Sequence, residues 1–382
     1  MVGIRTASAA LLAVAVSWST VSCSTTTSST PADRQVGPAA SAARTIDVCL
    51  GNLPAEWSAA LARNTFPLPS VLFSPWTVDS AHDVAYGSFQ SSSQQGVAAV
   101  DLHSGRLHVL SVMSPQAAGV GWMSFSDPWL VWEQTESQYT LGNWTIQLLD
   151  TRTGKQRQLG VSRLPDGSFL TGQLSFPVAG KGYVAWSQPT SRSSVDLRLY
   201  RLETGESLTL DSGKLSSPVI AAGRLVWGKF GARDSQPSLR MADAVTLKSL
   251  AVPGLLKQPM PIGYLAGSSD YLLWTSGQTL IAEQLSNGAL TRYQFARDAL
   301  KHPFQFIMVA GHFVVWFTGY GNTILDLRTG QAVDVALPSA SAAGGDEIVV
   351  TRPGPGPKGA VTSTSLSWLR IGPSTRLGSC SS

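Results

Sequence analysis

The sequence predicts an all-β fold: a seven-bladed β-propeller of four-stranded antiparallel blades, with a short N-terminal helix. Three observations predict it. A short apolar burst ending in a large side chain returns along the chain. A strand–turn–strand element follows each burst. Finally, the composition suits short strands and tight turns, with 36 glycines, 22 prolines and 12 tryptophans among 382 residues. Hydrophobic residues make up 43% and charged residues 14%, enough apolar surface for a large core.

The bursts read "SDPWLVWEQ", "GKGYVAWSQ", "AAGRLVWGK", "SSDYLLWTS" and "AGHFVVWFT". Aligned on the last large residue, the series is Tyr86, Trp132, Trp186, Trp227, Trp274, Trp316 and then Val350 in "GGDEIVVTR". The separations are 46, 54, 41, 47, 42 and 34 residues. Each burst is about five residues long and alternating or continuously apolar, as a half- or fully buried strand requires. Following elements such as "VAAVDLHSGRLHVL", "TIQLLDTRTGKQRQL" and "NTILDLRTGQAVDV" are strand, turn and strand. In the best copies the turn is D-x-x-[ST]-G, where glycine takes the positive-φ position and aspartate accepts backbone N–H bonds. A third element precedes most bursts, as in "GVGWMSF", "QLSFPVAG", "SPVIAAG", "IGYLAGS" and "FQFIMVAG". Four strands per unit and seven units from about Pro69 to Leu377 are the signature of propeller blades. One small sheet cannot bury both faces, whereas stacked sheets can, so the recurring aromatic belongs on the second strand between blades.

The pattern "G-x-x-V-x-W … L-x-L-x-D-x-x-T-G-x-x-x-x-L" resembles the TolB-like propeller repeats of bacterial envelope proteins, a WD40-like architecture, over most of the chain after the leader. The "SPDG" turn usual in that family is replaced here by "AGKG", "AAGR" and "AGH". Neither the quinoprotein signature nor the Gly-His…Trp-Asp pattern of WD40 blades is present.

Ahead of the repeats, residues 1–22 read as a signal peptide: Arg5, then the apolar run "ASAALLAVAVSW", then small residues up to "STVSC". The segment resembles a bacterial lipoprotein signal. Val21 and Ser22 fit that pattern, Thr20 departs from it, and the resemblance implies that Cys23 is acylated. Residues 23–43, rich in Ser, Thr, Ala and Pro, read as a flexible tether. Residues 44–68 hold a strand at Arg44 to Leu50 and a helix in "NLPAEWSAALAR", with Asn52 as its cap, Pro54 in its first turn and Glu56 near the positive end of its dipole. Residues 69–382 form the propeller. With Cys23 lipidated, Cys49 and Cys380 remain as a pair for a disulfide between the two ends of the folded part, closing the ring.

The formal charge is +4, and removal of Arg5 with the leader leaves 27 basic against 24 acidic residues. No dense Lys/Arg patch appears, so nucleic acid is excluded as a partner on electrostatic grounds. There is no H-E-x-x-H, C-x-x-C, G-x-S-x-G, P-loop or D-x-D-x-D-G pattern. The histidines (His82, His103, His108, His302 and His312) are scattered over different repeats. Asn143 sits in a chance "NWT" sequon, and "GPGPKG" lacks the helix a phosphate cradle needs. No metal and no cofactor are expected.

Connections between second and third strands vary in length, and "GSFQSSSQQG", "EQTESQYTLGN", "SQPTSRSSV", "KFGARDSQPS" and "RPGPGPKGAVTST" read as long loops. All of them emerge on one propeller face. Tyr139, Trp144, Arg192, Phe230, Arg233, Tyr320 and Lys358 are the aromatic and charged candidates for binding there. The function expected is therefore a non-catalytic, monomeric, extracytoplasmic binding or scaffold protein. A lipid anchor would hold it to the membrane, and its loop face would meet an envelope protein or a cell-wall ligand. The alternative is a propeller enzyme acting on glycans, a lyase or hydrolase. That would need convergent carboxylates near the channel, and Asp127, Asp270 and Asp346 lie instead at separate strand turns.

Overall fold

The computed structural model describes residues 43–114, 117, 119–136, 143–164, 166–169, 175–231, 238–252, 263–295, 304–317, 321–335, 341–355, 361–372 and 374–377. Cys23, Tyr139, Arg233, Tyr320, Lys358 and Cys380 lie outside them.

The chain starts with β1 (Arg44–Gly51), α1 (Ala55–Arg63) and β2 (Thr65–Leu68). Next come an antiparallel sheet of β3 (Leu72–Asp79), β4 (Val84–Gln90), β5 (Gln95–Asp101) and β6 (Leu107–Val112), and another of β7 (Gly119–Ser126), β8 (Trp129–Thr135), β9 (Trp144–Asp150) and β10 (Gln156–Val161). The next sheet holds β11 (Val178–Gly180), β12 (Tyr183–Ser191), β13 (Ser194–Arg201) and β14 (Ser207–Gly213). Then follow β15 (Val219–Ala221), β16 (Arg224–Lys229) and β17 (Ser238–Asp243), beside which the described residues form one bridge, between Ala242 and Ser249. The segments β18 (Leu265–Gly267), β19 (Tyr271–Ser276), β20 (Thr279–Gln284) and β21 (Ala289–Phe295) precede β22 (Gln305–Ala310), β23 (Phe313–Phe317), β24 (Asn322–Asp326) and β25 (Gln331–Val335). The chain closes with β26 (Ser341–Gly344), β27 (Glu347–Pro355) and β28 (Val361–Arg370). The first strands of successive groups, β3, β7, β11, β15, β18, β22 and β26, are spatial neighbours in that order, and β26 returns to β3.

The recurring aromatic of each burst falls on the second strand of its group and is buried. Trp132 and Trp316 have no exposed surface, and Trp186, Trp227 and Trp274 are at most 5% exposed. Trp316 packs with Phe295 and Phe304 at centroid distances of 5.5 and 5.1 Å. Trp227 Nε1 reaches out of its own sheet and donates to Asp211 Oδ2 on β14 at 2.9 Å.

The D-x-x-[ST]-G turns behave as the spacing predicts. Asp101 Oδ1 accepts from the backbone of His103 and Ser104 at 3.0 and 2.7 Å, and Asp150 and Asp243 repeat the arrangement. The Ser104 N–H at Asp101, the Thr153 hydroxyl at Asp150 and the Thr246 N–H at Asp243 lead in holding the three carboxyls below the usual range. Gly154 and Gly330 occupy the same left-handed position, at φ 69° and 75°, but a Cβ on Gly154 would meet open space while one on Gly330 would collide with Ile46 of β1. Gly154→Ala should therefore cost about 1–2 kcal/mol of backbone strain, and Gly330→Ala distinctly more. Paired denaturant unfolding curves check this, and equal losses would refute it.

The N-terminal segment departs most from expectation. The repeat, counted to Leu377, places the fourth strand of the last group after β28; that strand is β2 instead, antiparallel to β28 with Thr65 opposite Ser367. Two charged bulky residues, Arg370 and Arg376, flank a stretch containing Pro373, which cannot donate to a ladder. Residues 65–68 offer the alternating pattern "TFPL", with Leu68 buried. β1 lies parallel to two outer strands at once, with Arg44–Val48 beside Thr291–Phe295 and Cys49–Gly51 beside Gln331–Val333. Helix α1 starts after Pro54 with no side-chain cap, so Asn52 is not its cap; Glu56 and Arg63 sit at the ends that suit the dipole. Trp57 on this helix is 2% exposed and meets Phe313 edge-on at 5.2 Å.

A polar network joins the first and last sheets. Asp83, in the turn after β3, bonds Arg370 of β28 and lies 2.6 Å from His103 Nε2, while Arg370 also donates to Glu347 Oε1 at 2.8 Å. Burial, reinforced by Asp83, pushes the Glu347 carboxyl up to about 8. A carboxyl that keeps its proton longer in the folded than in the unfolded chain favours folding below the ordinary value near 4.5, and the advantage is lost as pH rises through about 8. Stability measured by urea unfolding should thus fall between those pH values, and Glu347→Gln should flatten the fall. An unchanged slope in the variant would refute the assignment.

Candidate functional site at the channel mouth

The first strands of the groups turn their opening residues toward the face that carries the second-to-third-strand hairpins; Leu72 at the start of β3 pairs with Gln90, where the β4–β5 hairpin begins. Five aromatic residues occupy nearly the same level on five of these strands, three or four residues before the strand ends. They are Trp76 on β3, Trp122 on β7, Phe176 just before β11, Tyr264 just before β18 and Phe306 on β22. Trp122 contacts Trp76, Phe176 and Phe306 at centroid distances of 5.8, 5.2 and 6.0 Å. Phe306 also meets Trp76 at 6.1 Å and Tyr264 at 6.5 Å. All five are incompletely buried, and Tyr264 is 38% exposed.

Local irregularity places these rings. The β3–β4 register shifts between Pro75 and Thr77, leaving Trp76 unpaired, and the β7–β8 register shifts just before Trp122. Such bulges re-aim side chains. The β22–β23 register also shifts at Phe306, and both Phe306 and Phe176 take positive φ, 48° and 46°. That conformation is costly for a bulky side chain, about 1–3 kcal/mol each, and such strain clusters at working sites.

Glu133 holds one of the strained residues. It stands opposite Trp122 in the β7–β8 register, is fully buried, and accepts the backbone N–H groups of Ser175 and Phe176 through Oε2 at 2.5 and 3.3 Å. Its Oε1 is buried without a hydrogen-bond partner. Burial raises its pKa to about 7 despite those two bonds. The first strands carry one charged residue among those described, Asp79. It sits at the far end of β3 and bonds His82 at 2.7 Å. Among the described residues, the first strands therefore bring no charge to the aromatic level, and Glu133 on β8 stands beside it.

Arg192 forms the exposed tip of the two-residue turn between β12 and β13. Phe230, just after β16, is half-buried and donates its N–H to Lys214 O at 2.9 Å. Trp144 is a correction: it opens β9, is 1% exposed and packs with Val131, Ile146 and Trp186 in the core, so it offers nothing to a ligand. Three of the loops expected to be long are largely strand. β4 and β5 leave only residues 91–94 between them, β12 and β13 only 192–193, and β27 extends to Pro355. Their Ser-, Gln- and Pro-rich sequences pair as hairpins with few large apolar side chains, which leaves little apolar alternation to read. The aromatic level itself was visible as a repeat. "GVGWMSF", "QLSFPVAG", "IGYLAGS" and "FQFIMVAG" each place an aromatic three or four residues before the strand end, a signal that reads as core until the strands are set in a ring.

Among the described residues, no three His, Cys, Asp or Glu side chains gather in a metal-binding cluster. No protein-family model matches the chain, and no curated protein matches it. Solved structures do. The chain is similar to a prolyl endopeptidase at 14% identity and TM-score 0.50, covering 75% of this chain and 46% of that one, so it spans about half of that enzyme's length. It is similar to an oligogalacturonate lyase from Vibrio parahaemolyticus at 9% identity and TM-score 0.50, covering 80% and 91%. It is also similar to the β-propeller domain of the Trilobed protease from Pyrococcus furiosus at 8% identity and TM-score 0.50, covering 74% and 90%. At these identities the likeness is one of fold, and with the sheets above it makes the chain a β-propeller. The Pyrococcus domain has an open velcro topology; here β2 joins the sheet of β26–β28.

Proposed function

We propose that this chain is a non-catalytic binding and scaffold protein, a seven-bladed propeller that meets a protein or cell-wall ligand with the face surrounding its aromatic channel mouth. The observation that carries the reading is the convergence of Trp76, Trp122, Phe176, Tyr264 and Phe306 on one incompletely buried level, two of them held in strained backbone. Arg192 at its hairpin tip and Phe230 beside β16 belong to the same face and widen the contact; Tyr139, Arg233, Tyr320 and Lys358 join them in the proposal. The chain acts as a monomer outside the cytoplasmic membrane, exported by residues 1–22, lipidated at Cys23 and spaced from the bilayer by residues 23–43. A TolB-like repeat and a lipoprotein-type leader in one sequence support that placement. A Cys49–Cys380 bridge completes the reading, fastening β1 to the chain end.

A second reading, a propeller enzyme acting on glycans, is favoured by one observation: Glu133, a buried carboxyl of raised pKa beside the aromatic level. Its Oε2 is engaged by two backbone N–H groups, which suits holding the site more than donating protons within it.

The test is retention of an envelope component on the immobilised full chain, with a parallel variant in which residues 136–143 are shortened. A component retained by the wild type and lost by the variant supports the binding reading. Turnover of a glycan by the wild type, abolished in Glu133→Gln, would replace it with the enzyme reading. Thiol titration of the unreduced protein should find no free Cys49 or Cys380.

A further inference from the structure

We infer that the aromatic level at the channel mouth is a binding site for a neutral sugar ring of an oligosaccharide, with Glu133 as the positioning residue that sets Phe176 in place. The inference rests on the binding reading above and specifies what the centre of that face takes.

Two features select this chemistry. First, charge is missing where it would be needed for an ionic ligand: the only charged residue on the inner strands, among those described, is Asp79 at the opposite end. Among the described residues, the inner strands offer an acidic sugar or a phosphate no cation, and burying it unpaired would be costly. Second, the rings offer apolar faces with polar edges. Trp122 and Phe306 lie nearly parallel, at 25°, with centroids 6.0 Å apart. Tyr264, the most exposed ring of the set, contributes a phenol. A pyranose has the matching form, with axial C–H groups on its faces and hydroxyls around its rim.

Glu133 supplies the independent observation. A carboxyl with no exposure, one oxygen bonded to two backbone N–H groups and the other unpartnered, is expensive to bury. It stands opposite Trp122 and fixes the left-handed Phe176, so it ties two rings of the site together across neighbouring sheets. A backbone held so strainedly, by so costly a group, is spent where geometry matters.

Calorimetric titration of the full-length chain with hexasaccharides of glucose, mannose, xylose and N-acetylglucosamine tests the inference, with trigalacturonate and a tryptophan-containing apolar peptide as comparisons. At least one neutral hexasaccharide should bind, quench tryptophan fluorescence and outcompete the other two probes. Trp122→Ala and, as the variant least able to disturb folding, Tyr264→Ala should weaken that binding about tenfold or more. Glu133→Ala should weaken it while Glu133→Gln, which keeps an acceptor for both N–H groups, restores it. Val245→Ser, on the exposed turn at the opposite face, should leave it unchanged. No binding by any neutral sugar, preference for the acid or the peptide, or binding that survives both ring variants would overturn the inference. An envelope component still retained through residues 136–143 in that case would leave the binding reading standing, whereas its loss as well would remove both.

Discussion

A chain beginning at Pro69 is expected to lose cooperative unfolding altogether, although it keeps every repeat the sequence displays. Three contributions leave with residues 44–68. β2 fills the outer position of the β26–β28 sheet, and without it the β28 edge is left unpaired. Leu68 and Trp57 leave cavities in two separate cores, and replacing either by alanine should cost about 2–5 kcal/mol on its own. β1 leaves too, and with it the only backbone ladder between β21 and β25 among the described residues. The losses are of the same order as the whole stability of an ordinary domain. Circular dichroism during thermal unfolding checks the expectation. A sharp transition within a few degrees of the intact chain would refute it.

The second large effect concerns the recurring tryptophans. Trp132→Ala and Trp316→Ala should each destabilise by about 3–5 kcal/mol, because both are fully buried and the neighbouring sheets cannot close the gap. Replacement by phenylalanine separates two kinds of site. Trp132 Nε1 has no hydrogen-bond partner, so Trp132→Phe loses packing alone. Trp227 Nε1 donates to Asp211, which also accepts from Lys229 Nζ at 2.6 Å, so Trp227→Phe additionally strips a bond from a carboxylate. The second variant should lie about 1–3 kcal/mol below the first. Denaturant curves for the pair decide it, and equal stabilities would show that the Asp211 bond contributes nothing.

Much of the architecture was legible in the sequence because it is periodic. Tyr86, Trp132, Trp186, Trp227, Trp274 and Trp316 each close an apolar burst, and each lies buried on the second strand of its group. The D-x-x-[ST]-G turns were legible for the same reason: aspartate and glycine have local conformational roles that need no partner from elsewhere. Where a repeat lacks the glycine, the backbone still takes the same shape, and Leu247 sits at φ 60° in the turn after Asp243. The loop lengths were misread at Gln90, Ser191 and Pro355, since a hairpin with few large apolar side chains carries little apolar alternation.

Sequence alone determined that this protein is all-β, built of repeated small sheets, with aromatic residues between them and little charge near the centre. These follow from periodicity and from the preferences of single residues. Only the tertiary structure decided which strand completes the last sheet, where β1 lies, and that five aromatics from distant repeats share one level. Those outcomes depend on contacts between residues hundreds of positions apart: Thr65 with Ser367, Ile46 beside Gly330, Trp76 against Phe306. No local propensity encodes such pairings. They arise when the ring closes and the exposed edge of β28 takes the nearest strand able to cover it.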